Sequence, residues 1–209
     1  MALSTAFFWA LAVHRYSELE TRWGPFSTNF GRTAFGAPAF LAVSLGASLL
    51  GVGAWDQVRS ENVLWLSGSV IGSYVLGDAL FLVSARSIGV TSALAIASCY
   101  PFWAALAAAW YMGQELTPSK TLGMVLVVLG TVTVILSGRT PGPRAPRAGF
   151  AGVLIAVVVS LGWALNSFCT AQGAQGISLW DASLIRMVAG LLGNSLIITL
   201  LGHRFLPRA

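Results

Sequence analysis

Charge is what this sequence has least of: Asp, Glu, Lys and Arg make up 9% of its 209 residues, against 56% hydrophobic residues. Soluble domains carry about 25% charged residues, because a surface facing water needs them. A chain this poor in charge cannot cover a globule of its size, so lipid must be its main solvent. Histidine and cysteine are scarcer still. His14, His203, Cys99 and Cys169 are the full set, no two stand at metal-ligand spacing, and both cysteines lie inside apolar segments. That argues against a disulfide framework and a metal centre. No histidine cluster, Gly-x-Ser-x-Gly elbow or nucleotide-binding motif is present, so a membrane-embedded enzyme is not expected and neither is a cofactor. The N-terminus has no basic n-region and no small-residue cleavage site, which argues against a removable signal peptide.

What is there is apolar sequence in helix-length pieces. From Val63 to Leu136 the formally charged side chains are only Asp78, Arg86, Glu115 and Lys120. Short breaks near Arg86–Gly89 and Gly113–Glu115 cut that run into pieces of about 20 residues, the length that crosses about 30 Å of hydrocarbon. Further apolar segments run from about Ala2 to Thr21, Ser27 to Ala54, Phe150 to Thr170 and Leu179 to Leu201. The expectation is an all-α membrane protein, a multi-pass bundle of about seven transmembrane helices in a cell membrane. The net charge of +5 is scattered between these segments, which fits the topological bias of Lys and Arg better than nucleic-acid binding.

Within the segments, Trp23-Gly24-Pro25 marks a turn. Gly68, Gly72 and Gly77 are expected to let neighbouring backbones approach closely. Pro101 removes an amide donor and frees the carbonyl of Ala97, which predicts a kink in the fourth segment. His14, Glu18 and Arg22 fall on one stripe at i, i+4 and i+8, either a salt-bridged helix end or the lining of a polar path.

A shift of 154 residues places Trp9-Ala10-Leu11 on Trp163-Ala164-Leu165, Arg32 on Arg186 and Gly36 on Gly190. An arginine inside an apolar segment is rare, so its recurrence carries most of the weight. A unit of five segments inverts the next unit across the bilayer, a recurrent transporter construction. Residues 1–138 are then one complete five-helix repeat, 139–148 a Gly/Pro/Arg linker, and 149–209 a partial second, inverted repeat. The second unit holds two of the five segments, so the chain is expected to be a fragment or to need another chain to complete the bundle.

The order Gly77-Asp78-Ala79-Leu80-Phe81, Tyr100-Pro101-Phe102 and Gly113-Gln114-Glu115-Leu116-Thr117 resembles the EamA-type members of the drug/metabolite transporter superfamily. Trp9 and Trp163 match the family's first-helix tryptophan, and Arg32 and Arg186 the arginine opening the second helix of each repeat. The resemblance implies ten helices in two inverted repeats and export of small metabolites, with a cytoplasmic N-terminus.

An ionisable group at the centre of a membrane helix costs about 2.5–3.5 kcal/mol on insertion scales. Asp78 is therefore a candidate proton or substrate site, with Tyr74 on the same face; the competing reading is a structural hydrogen bond to a neighbouring helix. Arg32 and Arg186 either snorkel to the interface or contact substrate. Trp9, Trp163 and Asn166 face a central cavity if the repeat pairing holds, and the tryptophans are otherwise interfacial anchors. His14, Tyr100 and Pro101 complete the candidate substrate or proton pathway. The function expected is secondary transport of a small metabolite or drug-like molecule, with possible proton coupling; the alternative is an inactive or assembly-dependent fragment. Partners are the bilayer, the small-molecule substrate, and a homo-oligomer or second chain, with no nucleic acid.

One face collects Arg15, Arg22, Arg86, Arg139, Arg144, Arg147, Arg204 and Arg208, the other Arg59 and Lys120. The positive-inside rule then puts the first loop in the cytoplasm and the N-terminus outside, opposite to what the resemblance implies. Cysteines substituted at Ser87 and Thr140 are expected to label from the cytoplasmic side. Labelling from that side at neither position overturns the charge-based orientation.

Overall fold

Lipid cannot hydrogen-bond to an exposed backbone, so a chain of this composition must satisfy its amides within helices. The computed structural model shows that outcome, describing residues 22–137 and 149–202 together with positions 7, 8, 11, 12, 15, 16, 18 and 19. Trp9, His14, the linker 139–148 and residues 203–209 lie outside the described residues.

The elements are α1 (Pro25–Leu49), a 3-10 turn (Trp55–Gln57), α2 (Ser60–Val70), a π-turn (Ile71–Val75) and α3 (Gly77–Ile88). They continue as α4 (Val90–Ala97), α5 (Tyr100–Met112), α6 (Pro118–Ser137), α7 (Phe150–Gly173) and α8 (Leu179–Leu200). No strand occurs among the described residues. Among the described residues, four stretches are long and apolar enough to cross a membrane: Ser60–Ile88, Val90–Tyr111, Phe150–Gly173 and Leu179–Leu200. The fold is a helical membrane bundle. α6 contributes a shorter apolar stretch, Pro118–Thr133.

Caps set the ends. Gly24, at φ 78°, turns the chain into Pro25, whose missing N–H costs nothing at a helix start. Asn62 accepts from the Arg59 amide at 2.9 Å and donates to the carbonyls of Gly173 (2.9 Å) and Gln175 (3.1 Å). One side chain thus closes the start of α2 and the end of α7. Ser178 caps α8 by accepting from the Trp180 amide at 3.2 Å.

α7 is central and touches α2, α3, α4 and α5, while α1 lies along α8 and α6 packs on α4. Phe81, Leu82, Ala93, Ile96, Ala156, Val159 and Trp163 form the apolar core around α7. α1 is turned inside out relative to a soluble helix. Its polar residues Ser27, Thr28, Asn29, Thr33 and Ser44 are buried, whereas Phe35, Leu45 and Leu49 point outward. Against lipid that is the stable orientation, because polar groups find partners only inside the bundle.

Two features differ from the sequence reading. The third segment is not one α-helix, because the π-turn interrupts it, with the Leu76 amide donating to the Ile71 carbonyl at 3.1 Å. The fourth breaks rather than kinks: α4 ends at Ala97, and Pro101 sits in the first turn of α5, where a proline is tolerated. The carbonyl that gains a side-chain donor there is that of Ala95, from Thr131 of α6 at 3.0 Å.

The expected close approach is made at Gly72, where an added Cβ would lie 2.5 Å from the Gly162 carbonyl oxygen of α7. At Gly68 an added Cβ meets nothing within 4 Å. Gly162→Val is therefore expected to cost about 1–3 kcal/mol through overpacking. Gly68→Ala should leave the melting point unchanged or slightly raised, since alanine is the better helix former. Thermal unfolding in detergent checks both.

Candidate functional site

The π-turn shapes the centre of the bundle. A wider turn takes carbonyls out of the ordinary ladder, and such bulges are common at functional sites. Here the Tyr74 carbonyl accepts from the side-chain amides of Asn29 (α1) and Asn194 (α8), the latter at 2.9 Å. Asn29 also donates to the Asn194 carbonyl oxygen at 3.2 Å, and Asn194 to the Thr33 hydroxyl at 3.3 Å. Two helices, α1 and α8, are thereby pinned to one turn.

The Tyr74 ring extends that junction. The Arg32 guanidinium carbon lies 4.8 Å from the ring centroid and that of Arg186 4.9 Å. Both cations gain from the electron-rich face, an effect that grows where water is excluded. Neither arginine snorkels. Arg32 forms an ion pair with Asp78 of α3, the two side chains being 13% and 11% exposed. Trp163 donates its indole N–H to the other carboxylate oxygen of Asp78 at 3.0 Å. Arg186 donates to Asn166 Oδ1 at 2.7 Å and to the Ser69 hydroxyl at 3.1 Å. Six sequence candidates therefore meet at one place: Arg32, Tyr74, Asp78, Trp163, Asn166 and Arg186.

Tyr100 stands at the edge of this group, its ring 6.1 Å from that of Trp163 in edge-to-face contact. Pro101 is exposed and serves as a helix starter. Glu18, placed on a stripe with His14, pairs with Arg15 at 3.2 Å on an exposed face.

A cavity of about 570 Å³ opens beside the junction, with Tyr16, Trp23, Thr28, Arg32, Phe35 and Tyr74 among its walls. Thr28, Arg32 and Tyr16 also bound a smaller void of about 20 Å³, together with Asn29, Asp78 and Phe81. A volume of several hundred Å³ with apolar walls and a few convergent polar groups is the form of a small-molecule site.

The sequence reading passed over the residues that hold the junction together: Asn29, Thr33, Ser69 and Asn194. Their signal was available, because amides inside lipid-facing segments are costly unless paired. It also gave no role to Asp181. Asp181 is fully buried as well, accepting from the Ser44 hydroxyl at 2.5 Å and the Ala54 amide at 2.8 Å. Ser44 in turn accepts from the Trp55 indole at 2.9 Å. That cluster fastens the chain after α1 to the first turn of α8.

Removing one partner of a buried ion pair leaves the other charge uncompensated, at a cost of about 3–5 kcal/mol. Arg32→Leu is expected to destabilise by that amount in detergent unfolding, and Arg32→Leu with Asp78→Leu by clearly less than the sum of the singles. Additive losses would show that the two residues are not coupled.

Residues 1–136 match the EamA-like transporter family. An uncharacterized transporter of Archaeoglobus fulgidus is 26% identical over 165 residues, covering 79% of this chain and 55% of that protein. Protein LicB of Haemophilus influenzae is 22% identical over 204 residues, covering 94% of this chain and 65% of that protein. The chain thus spans between half and two thirds of the length of these relatives. No solved structure matches significantly. A helical membrane bundle with a polar centre agrees with what the family match says of the sequence: the chain belongs to the EamA-like transporter family, within the drug/metabolite transporter superfamily.

Proposed function

We propose that this chain moves a small metabolite or drug-like molecule across a cell membrane as a secondary transporter, by alternating access around the cavity beside Arg32. The observation that carries this is the buried Arg32–Asp78 pair, set between α1 and α3, whose arginine lines a cavity of about 570 Å³. A buried pair of opposite charges stays joined while both are ionised, and protonation of Asp78 removes its charge and lets the pair part. Proton coupling through Asp78 follows, and export is the direction the family resemblance suggests.

The repeat reading belongs to the same proposal. Arg32 and Arg186, related by the 154-residue offset, lie over one tyrosine ring, and α1 lies along α8. This supports residues 1–138 as a first unit and 149–209 as part of a second, inverted one. A second reading is favoured by the share of its relatives that the chain spans: activity that depends on further helices supplied by a different chain.

Proteoliposomes holding the chain, offered a panel of labelled metabolites under a pH gradient, test both readings. Flux by this chain as its own oligomer is the expected result, and Asp78→Asn is expected to abolish its response to the gradient. An unchanged response removes Asp78 from the mechanism. Flux that appears only with a second, different chain decides for the assembly-dependent reading.

A further inference from the structure

The two cavities meet at side chains with unmet hydrogen bonds. Thr28 is 4% exposed, and among the described residues its hydroxyl has no hydrogen-bond partner. The Nε–H of Arg32 likewise has none, although its guanidinium is paired with Asp78. Thr28 and Arg32 line both the large cavity and the 20 Å³ void. Buried polar groups are rarely left unpaired, because each costs about 1–3 kcal/mol. Two residues with unmet donors border the same void, which describes a site for an acceptor.

Charge decides which acceptor. Arg32 is the only charged side chain among the described residues lining the large cavity. The Tyr74 face, which could otherwise hold a cation, is occupied by the guanidiniums of Arg32 and Arg186. A cationic ligand would meet repulsion there. The void holds one or two water-sized atoms, since a single water needs about 10–15 Å³. That suits the oxygens of a carboxylate, and the aromatic walls of the larger cavity suit an apolar or aromatic body.

We propose that Arg32 and Thr28 form a carboxylate subsite at the end of the cavity, and that Asp78 and the ligand carboxylate share Arg32, so that anion and proton bind together. This rests on the transporter reading above and gives it a substrate class. Asp78 borders the same void, and two ionised carboxylates beside one guanidinium repel. When the ligand takes Arg32, Asp78 is left without its countercharge and accepts one proton from water, while Trp163 continues to donate to it. Among the described residues, the charged and titratable groups around Asp78 are Arg32 from α1, Tyr74 with Arg186 beyond it, Tyr16, and Tyr100 against Trp163. None is an acid or a histidine that would take the proton instead. Anion and proton then travel in the same direction, so an acid leaving down its own gradient carries a proton with it.

Isothermal titration of the purified chain with benzoate, run in buffers of different ionisation enthalpy, reads affinity and proton uptake together. Benzoate is expected to bind with uptake of about one proton, and benzylammonium, of similar shape and opposite charge, at least about tenfold more weakly. Thr28→Val should weaken benzoate about three- to tenfold and Arg32→Lys about tenfold, with parental elution and melting required of both. Asp78→Asn should bind benzoate with no proton uptake. Benzylammonium binding as tightly as benzoate, absent proton uptake, or unchanged affinity in a well-folded Thr28→Val protein would each overturn the proposal. Asp78-dependent flux of a neutral or cationic solute by a chain that ignores benzoate rejects the carboxylate subsite and leaves the transporter reading standing. Benzoate binding with proton uptake but no flux upholds the subsite and removes the transporter reading.

Discussion

The structure depends on placing two opposite charges inside the helical bundle, each largely buried and each the other's countercharge. Arg32 and Asp78 are each expensive inside a membrane, and each is tolerable because the other is in contact. The rest of the centre serves that pair. Trp163 holds the free side of the carboxylate, Tyr74 lies against the guanidinium, and the asparagines hold Tyr74 by its carbonyl. Arg32 comes from α1, Asp78 from α3 and Trp163 from α7, so the pair also fixes how three helices stand.

The π-turn gives this arrangement its geometry. An uninterrupted α-helix would keep the Tyr74 carbonyl in its own ladder and give the asparagines of α1 and α8 nothing to hold. The wider turn needs room, and Gly72 facing Gly162 supplies it through a near contact of backbones. Gly190 of α8 passes Tyr74 in the same way, where an added Cβ would lie 3.2 Å from the ring. Small residues and the polar junction are thus one device: the glycines bring the helices close enough for short side chains to bond across them.

Much of this was legible residue by residue. Asp78, Arg32 and Arg186 stand out because charge in an apolar segment demands a partner, and the 154-residue offset singled out both arginines. Which partner each would take was not legible. Arg32 found a carboxylate, while Arg186 found an amide and a hydroxyl, and nothing in the spacing distinguishes the two. Asn29 and Asn194 went unread because single amides give no periodic signal. Asp181 was passed over, because an acid at a helix start gives no sign in the sequence of being buried. Pro101 was read as a kink within one helix, yet it opens a new helix, since Ser98 and Cys99 close α4 before the proline arrives.

The amino-acid sequence by itself determined that this chain lives in lipid, that it is helical, and which few charged side chains had to be accommodated inside. Those conclusions follow from composition and length, which act on every segment separately. Only the tertiary structure decided that Arg32, Asp78 and Trp163 meet, that two arginines share one tyrosine, and that a cavity opens beside them. The reason is physical: pairing across helices depends on helix rotation and depth to within a few ångströms. A π-turn and a handful of glycines set both, and neither is written in the pattern of apolar residues.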